Sequence, residues 1–150
     1  MDRIDRKLLN LLQRDASRTN AALADEVGLS ASSCLRRIRR LRQSGVIDRI
    51  AAILNPAKTG RTLKAVVTVE LRLHGEPNTR QFLNLAAREE AVAQAYTVTG
   101  EVDAVLILRL RDMEEYDALC NRLFQERMNV ARYWTMMVIR TGKDETAIPL

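Results

Sequence analysis

The 150-residue sequence has only two cysteines and one histidine, and no apolar run near the roughly 20 residues that a membrane-spanning helix needs. Cys34 and Cys120 lie far apart, with no CxxC spacing and no histidine cluster. That excludes the usual sequence patterns of a zinc site or a disulfide framework, and both residues read as buried thiols of a reducing cytoplasm. The opening stretch MDRIDRKLLNLLQRD is charged throughout, unlike a secretory signal. Catalytic apparatus is equally scarce. No Ser/His/Asp set, paired catalytic carboxylates or phosphate-binding glycine loop is present, and His74, beside Gly75, reads as an exposed turn residue. The expectation is a cytoplasmic protein that is not an enzyme, with no metal, cofactor or membrane partner.

What the sequence does have is positive charge, unevenly spread. Residues 1–60 carry 12 Lys+Arg against 6 Asp+Glu, whereas residues 61–150 carry 12 against 13, giving +6 and −1 of the total +5. Only the front part has the charge to meet a polyanion. Its apolar spacing is helical. Ile4, Leu8, Leu9, Leu11 and Leu12 form one stripe behind a cap at Asp2, and Thr19 caps a second helix over residues 20–27 that Gly28 stops. Ser30 caps a third helix running to about Gln43.

Two short helices joined by Gly28-Leu29-Ser30 have helix-turn-helix spacing. On the third helix Cys34, Leu35, Ile38 and Leu41 fall on the core side at intervals of three and four, with Ser32, Ser33, Arg36, Arg37 and Arg40 opposite. Small polar residues at the start of such a helix can approach base edges, and guanidinium groups further on reach guanines or phosphates. The expected DNA-binding set is therefore Ser30, Ser32, Ser33, Arg36, Arg37, Arg39, Arg40 and Arg42. Ser32, Ser33 and Arg36 are placed for bases, and the remaining arginines for phosphates. Five arginines within seven positions repel one another unless a polyanion offsets them.

After a short extended stretch over residues 46–54, Asn55-Pro56 and Gly60 mark a connection, and from Leu63 the period changes to two. Val67, Val69, Leu71 and Leu73 share one face of a first strand. A helix from Pro77 to about Glu90 follows, then a strand over 92–99, a turn at Gly100-Glu101 and a strand over 102–110. A helix capped by Asp112 reaches about Arg127, and the last strand runs over 130–140. The order β-α-β-β-α-β predicts an antiparallel sheet with both helices on one face, and the other face is expected to be covered by a second chain. The domains are then 1–54, helix-turn-helix; 55–62, linker; and 63–150, βαββαβ.

The stretches Ile4-Asp5-Arg6-Lys7-Leu8-Leu9, Leu29–Ile38, Gly45-Val46-Ile47, Leu54-Asn55-Pro56 with Gly60, and Val98-Thr99-Gly100-Glu101-Val102-Asp103 occur in order along the chain. In them the sequence resembles the leucine-responsive regulator and AsnC (Lrp/AsnC) family of feast/famine transcription factors over essentially its whole length. The resemblance implies an α+β chain with an N-terminal winged helix-turn-helix and a C-terminal ferredoxin-like βαββαβ (RAM-type) domain. It implies double-stranded DNA as partner, a nucleoid-associated location, and self-association as a homodimer that assembles into a tetramer or octamer. It also implies an amino-acid effector such as leucine or methionine, bound where dimers meet. By the same resemblance Thr99, Gly100, Glu101, Val102 and Asp103 form the effector turn, and Thr97, Met113, Met136, Met137 and Val138 supply the pocket for the effector side chain. The sequence departs from the family at Arg49-Ile50, where Gly-Tyr is common. It departs again at Val102, where an aromatic is common, and at Glu101, where Asp is. Two alternatives stay open: a ligand-independent DNA-organising protein or local repressor of this family, and a haem-pathway decarboxylase of the same fold. The single histidine and the arginine-rich helix weigh against the second.

Overall fold

Asp2 caps the first helix, α1 (Arg3–Arg14), by accepting from the Asp5 N–H at 2.8 Å, and Asp5 accepts in return from the Asp2 N–H at 3.0 Å. This reciprocal box satisfies two of the N–H groups that a helix start leaves open. Thr19 and Ser30 cap α2 (Asn20–Val27) and α3 (Ala31–Gln43) as the sequence predicts, and Gly28 ends α2 in the left-handed region at φ 69°. Leu8, Leu23, Ala24, Cys34 and Ile38 close a small core between the three helices, with Ile4, Leu11, Leu12, Val27 and Ile47 at its margin. Both cysteines are free and buried, and burial pushes the Cys34 thiol up, which keeps it protonated and inert.

The computed structural model describes all 150 residues and divides into two compact units, Met1–Ile53 with Gly142–Leu150, and Leu54–Thr141. The tail at 142–150, assigned by pattern to the second domain, thus lies with the helices. There the Gln13 side chain donates to the Ile148 carbonyl at 3.0 Å and accepts from the Ile148 N–H at 2.6 Å. Residues 46–54 form no strand. Nothing in the helical unit offers them a ladder partner, and Val46, Ile50, Ile53 and Leu54 are exposed.

The second unit holds β1 (Leu63–Leu71), α4 (Glu76–Ala86), β2 (Val92–Thr97), β3 (Ala104–Leu110), α5 (Met113–Leu123) and β4 (Val130–Met137). The sheet order is β2-β3-β1-β4, antiparallel throughout. Strict alternation places Ala65, Val67, Val69 and Leu71 of β1 beside Ala104, Leu106, Leu108 and Leu110 of β3 on one face. Phe82 and Ala86 of α4 and Leu119, Cys120 and Leu123 of α5 pack onto that face. Leu73 lies past the end of β1 and is exposed. β4 stops short of the expected Arg140 because β1 begins at Leu63 and offers nothing beyond Lys64, whose carbonyl takes the Val138 N–H at 2.8 Å. Likewise α5 ends before Phe124, which stacks on Tyr133 with ring centroids 4.7 Å apart.

No helix covers the other sheet face. Registered neighbours share a face, so Tyr96, Val105, Thr68 and Trp134 form one row across it, and Gln94, Ile107, Val66 and Met136 form the next. Tyr96, Trp134 and Met136 are 49%, 47% and 51% exposed, and the Arg132 guanidinium lies 5.6 Å from the Trp134 ring centroid.

In the helical unit α3 is tied to the start of α1 by charge. Asp5, whose side chain is only 1% exposed, accepts from Arg37 Nη1 at 2.9 Å and from Arg40 Nη2 at 2.7 Å. Arg37 Nη1 also reaches Asp2 Oδ2 at 2.7 Å. Burial opposes ionisation of Asp5, yet the Asp2 N–H and the two guanidinium groups together hold its carboxyl below the usual range. The Asp5 N–H and Arg37 lower Asp2 from 3.8 to about 2. Groups with depressed folded-state values stabilise fully above their ordinary pKa, and that stabilisation is lost as pH falls through the folded one. The helical unit should therefore melt at a constant temperature between about pH 7 and 5 and progressively lower from about pH 4 towards 2. The Asp2→Asn/Asp5→Asn protein should melt lower at neutral pH and lack most of that acid limb. Circular dichroism melts across this range check it, and an undiminished acid limb in the variant would exclude these two carboxylates as its source.

Candidate nucleic-acid interface and effector turn

The turn between α2 and α3 is fixed by backbone. The Gly28 N–H donates to the Ala24 and Asp25 carbonyls and the Leu29 N–H to the Ala24 carbonyl at 2.9 Å, so the chain reverses within Gly28-Leu29-Ser30. Ser30 Oγ accepts from the Ser33 N–H at 3.2 Å and bonds Ser33 Oγ at 3.0 Å, with Ser32 Oγ at 3.1 Å. Ser30 is thereby committed to capping, and Ser32 and Ser33 stand beside it in the first turn. Cys34, Ile38 and Leu41 are buried beneath the helix.

The five arginines of α3 divide into two sets. Arg36, Arg39 and Arg42 are exposed and make no ion pair. Ser32, Arg36 and Arg39 form the outward stripe and Arg42 stands on the flank away from Arg37, all available to base edges and phosphates. Arg37 is not on that stripe. At 100° per residue it stands about 60° round the helix from Cys34, on the flank of the core rather than opposite it. It is half-buried against Asp2 and Asp5. Arg40 lies between the two sets, with its tip on Asp5 and its side chain 60% exposed.

Sequence reasoning placed Arg37 for phosphates and gave Asp5 no part in the site. The signal was present in the position of Asp5 itself. It stands three and four residues before Leu8 and Leu9, on the buried stripe of α1, where a carboxylate requires partners.

In the second unit the turn that the family resemblance assigns to an effector follows β2. Gly100 takes φ 127°, a conformation that side chains disfavour, and the Val98 N–H closes the turn on the Asp103 carbonyl at 3.1 Å. The Asp103 carboxylate is occupied. Oδ2 accepts from the Leu71 N–H at 2.8 Å and Oδ1 contacts His74 Nδ1 at 3.2 Å, so it pins the turn to the end of β1. Thr97, Thr99, Gly100 and Glu101 are exposed, and Val102 is half-buried.

The expected pocket residues do not converge within one chain. Met136 faces the open sheet surface beside Val66, whereas Met137, beside Ala65, faces the helices. Thr97 belongs to the row of Ala104, Val69 and Tyr133, four positions from the row of Met137 and three strands across. Strand spacing and rise put them about 20 Å apart. Met113 is exposed at the start of α5, and Val138 lies just past β4.

Residues 1–42 match the AsnC-type helix-turn-helix domain, and residues 64–148 match the Lrp/AsnC ligand-binding domain. A leucine-responsive regulatory protein of Rhizobium meliloti is 34% identical over 150 residues, spanning 100% of this chain and 96% of its own length. An AsnC family transcriptional regulator from Agrobacterium tumefaciens superposes with a TM-score of 0.92 at 31% identity, over 99% of this chain and 97% of that one. A transcriptional regulator of Neisseria meningitidis, solved as an L-Met complex, gives 0.92 at 28% identity over 99% and 96%. The helix-turn-helix and the four-stranded sheet domain are thus those of a known group, and the chain belongs to the Lrp/AsnC family of transcriptional regulators.

Proposed function

We propose that the protein is a sequence-specific DNA-binding regulator whose assembly or DNA affinity responds to a small amino acid. The observation that carries the first part is the division of α3. Arg36 and Arg39 stand exposed and unpaired on the face opposite Cys34, Ile38 and Leu41, behind Ser32 at the helix start, and Arg42 is exposed and unpaired on the flank. Unpaired guanidinium groups on one helix face suit a duplex, because each phosphate they neutralise releases a counterion. Replacing Arg36, Arg39 and Arg42 singly by alanine should flatten the dependence of log affinity on log salt by about 0.9 for each residue in phosphate contact. A residue that reads a base should instead cost about 1–3 kcal/mol on the preferred sequence alone. The triple variant should bind neither random nor preferred duplex with a measurable slope. Retention of the wild-type slope by that variant would overturn the reading.

The effector reading is supported by the match of residues 64–148 to a ligand-binding domain and by the L-Met bound to the Neisseria regulator. With Asp103 spent on Leu71 and His74, the turn offers the backbone N–H groups around Gly100 for a carboxylate and the exposed Glu101 for an ammonium. Because Thr97 and the methionines of β4 are far apart in one chain, a pocket using both takes them from different chains. A ligand at 100 times its Kd stabilises the folded state by about 2.7 kcal/mol. In a thermal-shift screen of the twenty amino acids, L-Met, L-Leu or a similar apolar residue should raise the melting temperature. Silence across all twenty would remove the effector from this reading and leave a ligand-independent member of the family.

The open sheet face supports self-association, since Tyr96, Trp134, Met136, Ile107 and Val66 form a contiguous apolar surface on it. Trp134→Asp should reduce the mass seen in sedimentation velocity to that of a smaller assembly. An unchanged mass would place the interface elsewhere.

A further inference from the structure

Five arginines on α3 are more positive charge than the helix exposes. Asp5 and Asp2 together carry two negative charges and bind two of the guanidinium groups at 2.7–2.9 Å. Both Asp5 oxygens are engaged, Oδ1 by Arg37 and Oδ2 by Arg40 and the Asp2 N–H. Water does not reach this carboxylate, whose side chain is 1% exposed, so its charge is neutralised by those partners or not at all. A DNA phosphate and a carboxylate offer a guanidinium the same chemistry, an oxyanion that accepts charge-assisted hydrogen bonds. Asp5 is therefore an internal competitor of the phosphate backbone for Arg37 and Arg40.

We propose that Asp5 determines how well the protein discriminates between DNA sequences, by holding Arg37 and Arg40 off the phosphate backbone. Phosphate contacts add affinity for every sequence equally, and base contacts add it for one. Two arginines withdrawn into an internal ion pair lower the first contribution and leave Ser32, Ser33 and Arg36 free to make the second. Asp5 is a positioning residue in this scheme and touches no DNA. The arithmetic per helix is definite. With Arg36 on bases, Arg39 and Arg42 contribute a slope of about −1.8, and adding Arg37 and Arg40 would bring it to about −3.6. The inference rests on the reading of α3 as the DNA-binding helix.

The test uses the full chain and two duplexes, one of random sequence and one enriched from a random pool by the wild-type protein, titrated at several KCl concentrations. Asp5→Asn frees Arg40 while Asp2 still holds Arg37, and should steepen the slope by about 0.9 per helix. Asp2→Asn/Asp5→Asn frees both, and should steepen it by about 1.8 per helix. Asparagine caps a helix start as well as aspartate does, so α1 keeps its cap. Binding to the random duplex at low salt should tighten, and the ratio of affinities for the enriched and random duplexes should fall. Adding Arg37→Met and Arg40→Met to the double variant should return slope and ratio to wild-type values, a rescue that a merely structural role would not give.

An unchanged slope, or a parallel loss on both duplexes without rescue, would overturn the proposal and leave Asp5 as a structural ion pair. If the Arg36/Arg39/Arg42→Ala protein kept the wild-type slope, the DNA reading of α3 would fail first and the proposal with it.

Discussion

A carboxylate enclosed by protein must be matched by positive charge, and Asp5 imposes that requirement on the helical unit. Its position three and four residues before Leu8 and Leu9 puts it on the packed side of α1, and only α3 has guanidinium groups within reach. Leu8, Leu23, Ala24, Cys34 and Ile38 form a small core of few side chains beneath these ion pairs. Hydrogen bonds to Arg37 and Arg40 are directional, and they join α3 to the start of α1. One acidic residue outside the helix-turn-helix proper thus decides which guanidinium groups of α3 are held by the protein itself.

The second unit is governed by a different asymmetry. Two crossovers of the βαββαβ chain place α4 and α5 against the same side of the sheet, so alternation along β1 and β3 yields one dry face and one half-covered face. The half-covered side is neither polar enough for a solvent surface nor buried enough for a core. Arg132 stands over Trp134 and pairs with Glu70, which screens part of that surface without closing it.

Local chemistry was legible in the sequence wherever the cause was local. Thr19, Gly28 and Ser30 each act on their own turn of helix, and their roles followed from identity and position alone. The period of two in β1 and β3 announced the buried face because each residue reports only its own side of the pleat. What escaped was set by partners distant in sequence. Arg37 and Arg40 owe their environment to Asp5, 32 and 35 residues earlier. Asp103, placed in the Gly100 turn by resemblance, has its carboxylate bonded to the Leu71 N–H 32 residues away. Residues 46–54 carry β-branched residues but have no strand to pair with, so propensity there produced nothing. The resemblance gave Met136 and Met137 to one pocket, but neighbours on a strand point to opposite faces.

The pairing of Gln13 with Ile148 joins residues 135 positions apart. Three short helices with local contacts form quickly, whereas a sheet that joins β1 to β4 must first close a long loop. During synthesis the helices emerge first and can collapse on Leu8 and Leu23 while the sheet strands are still being made. The segment that completes their surface emerges only after all four strands. The DNA-facing unit is thus among the first parts of the chain to fold and among the last to be finished.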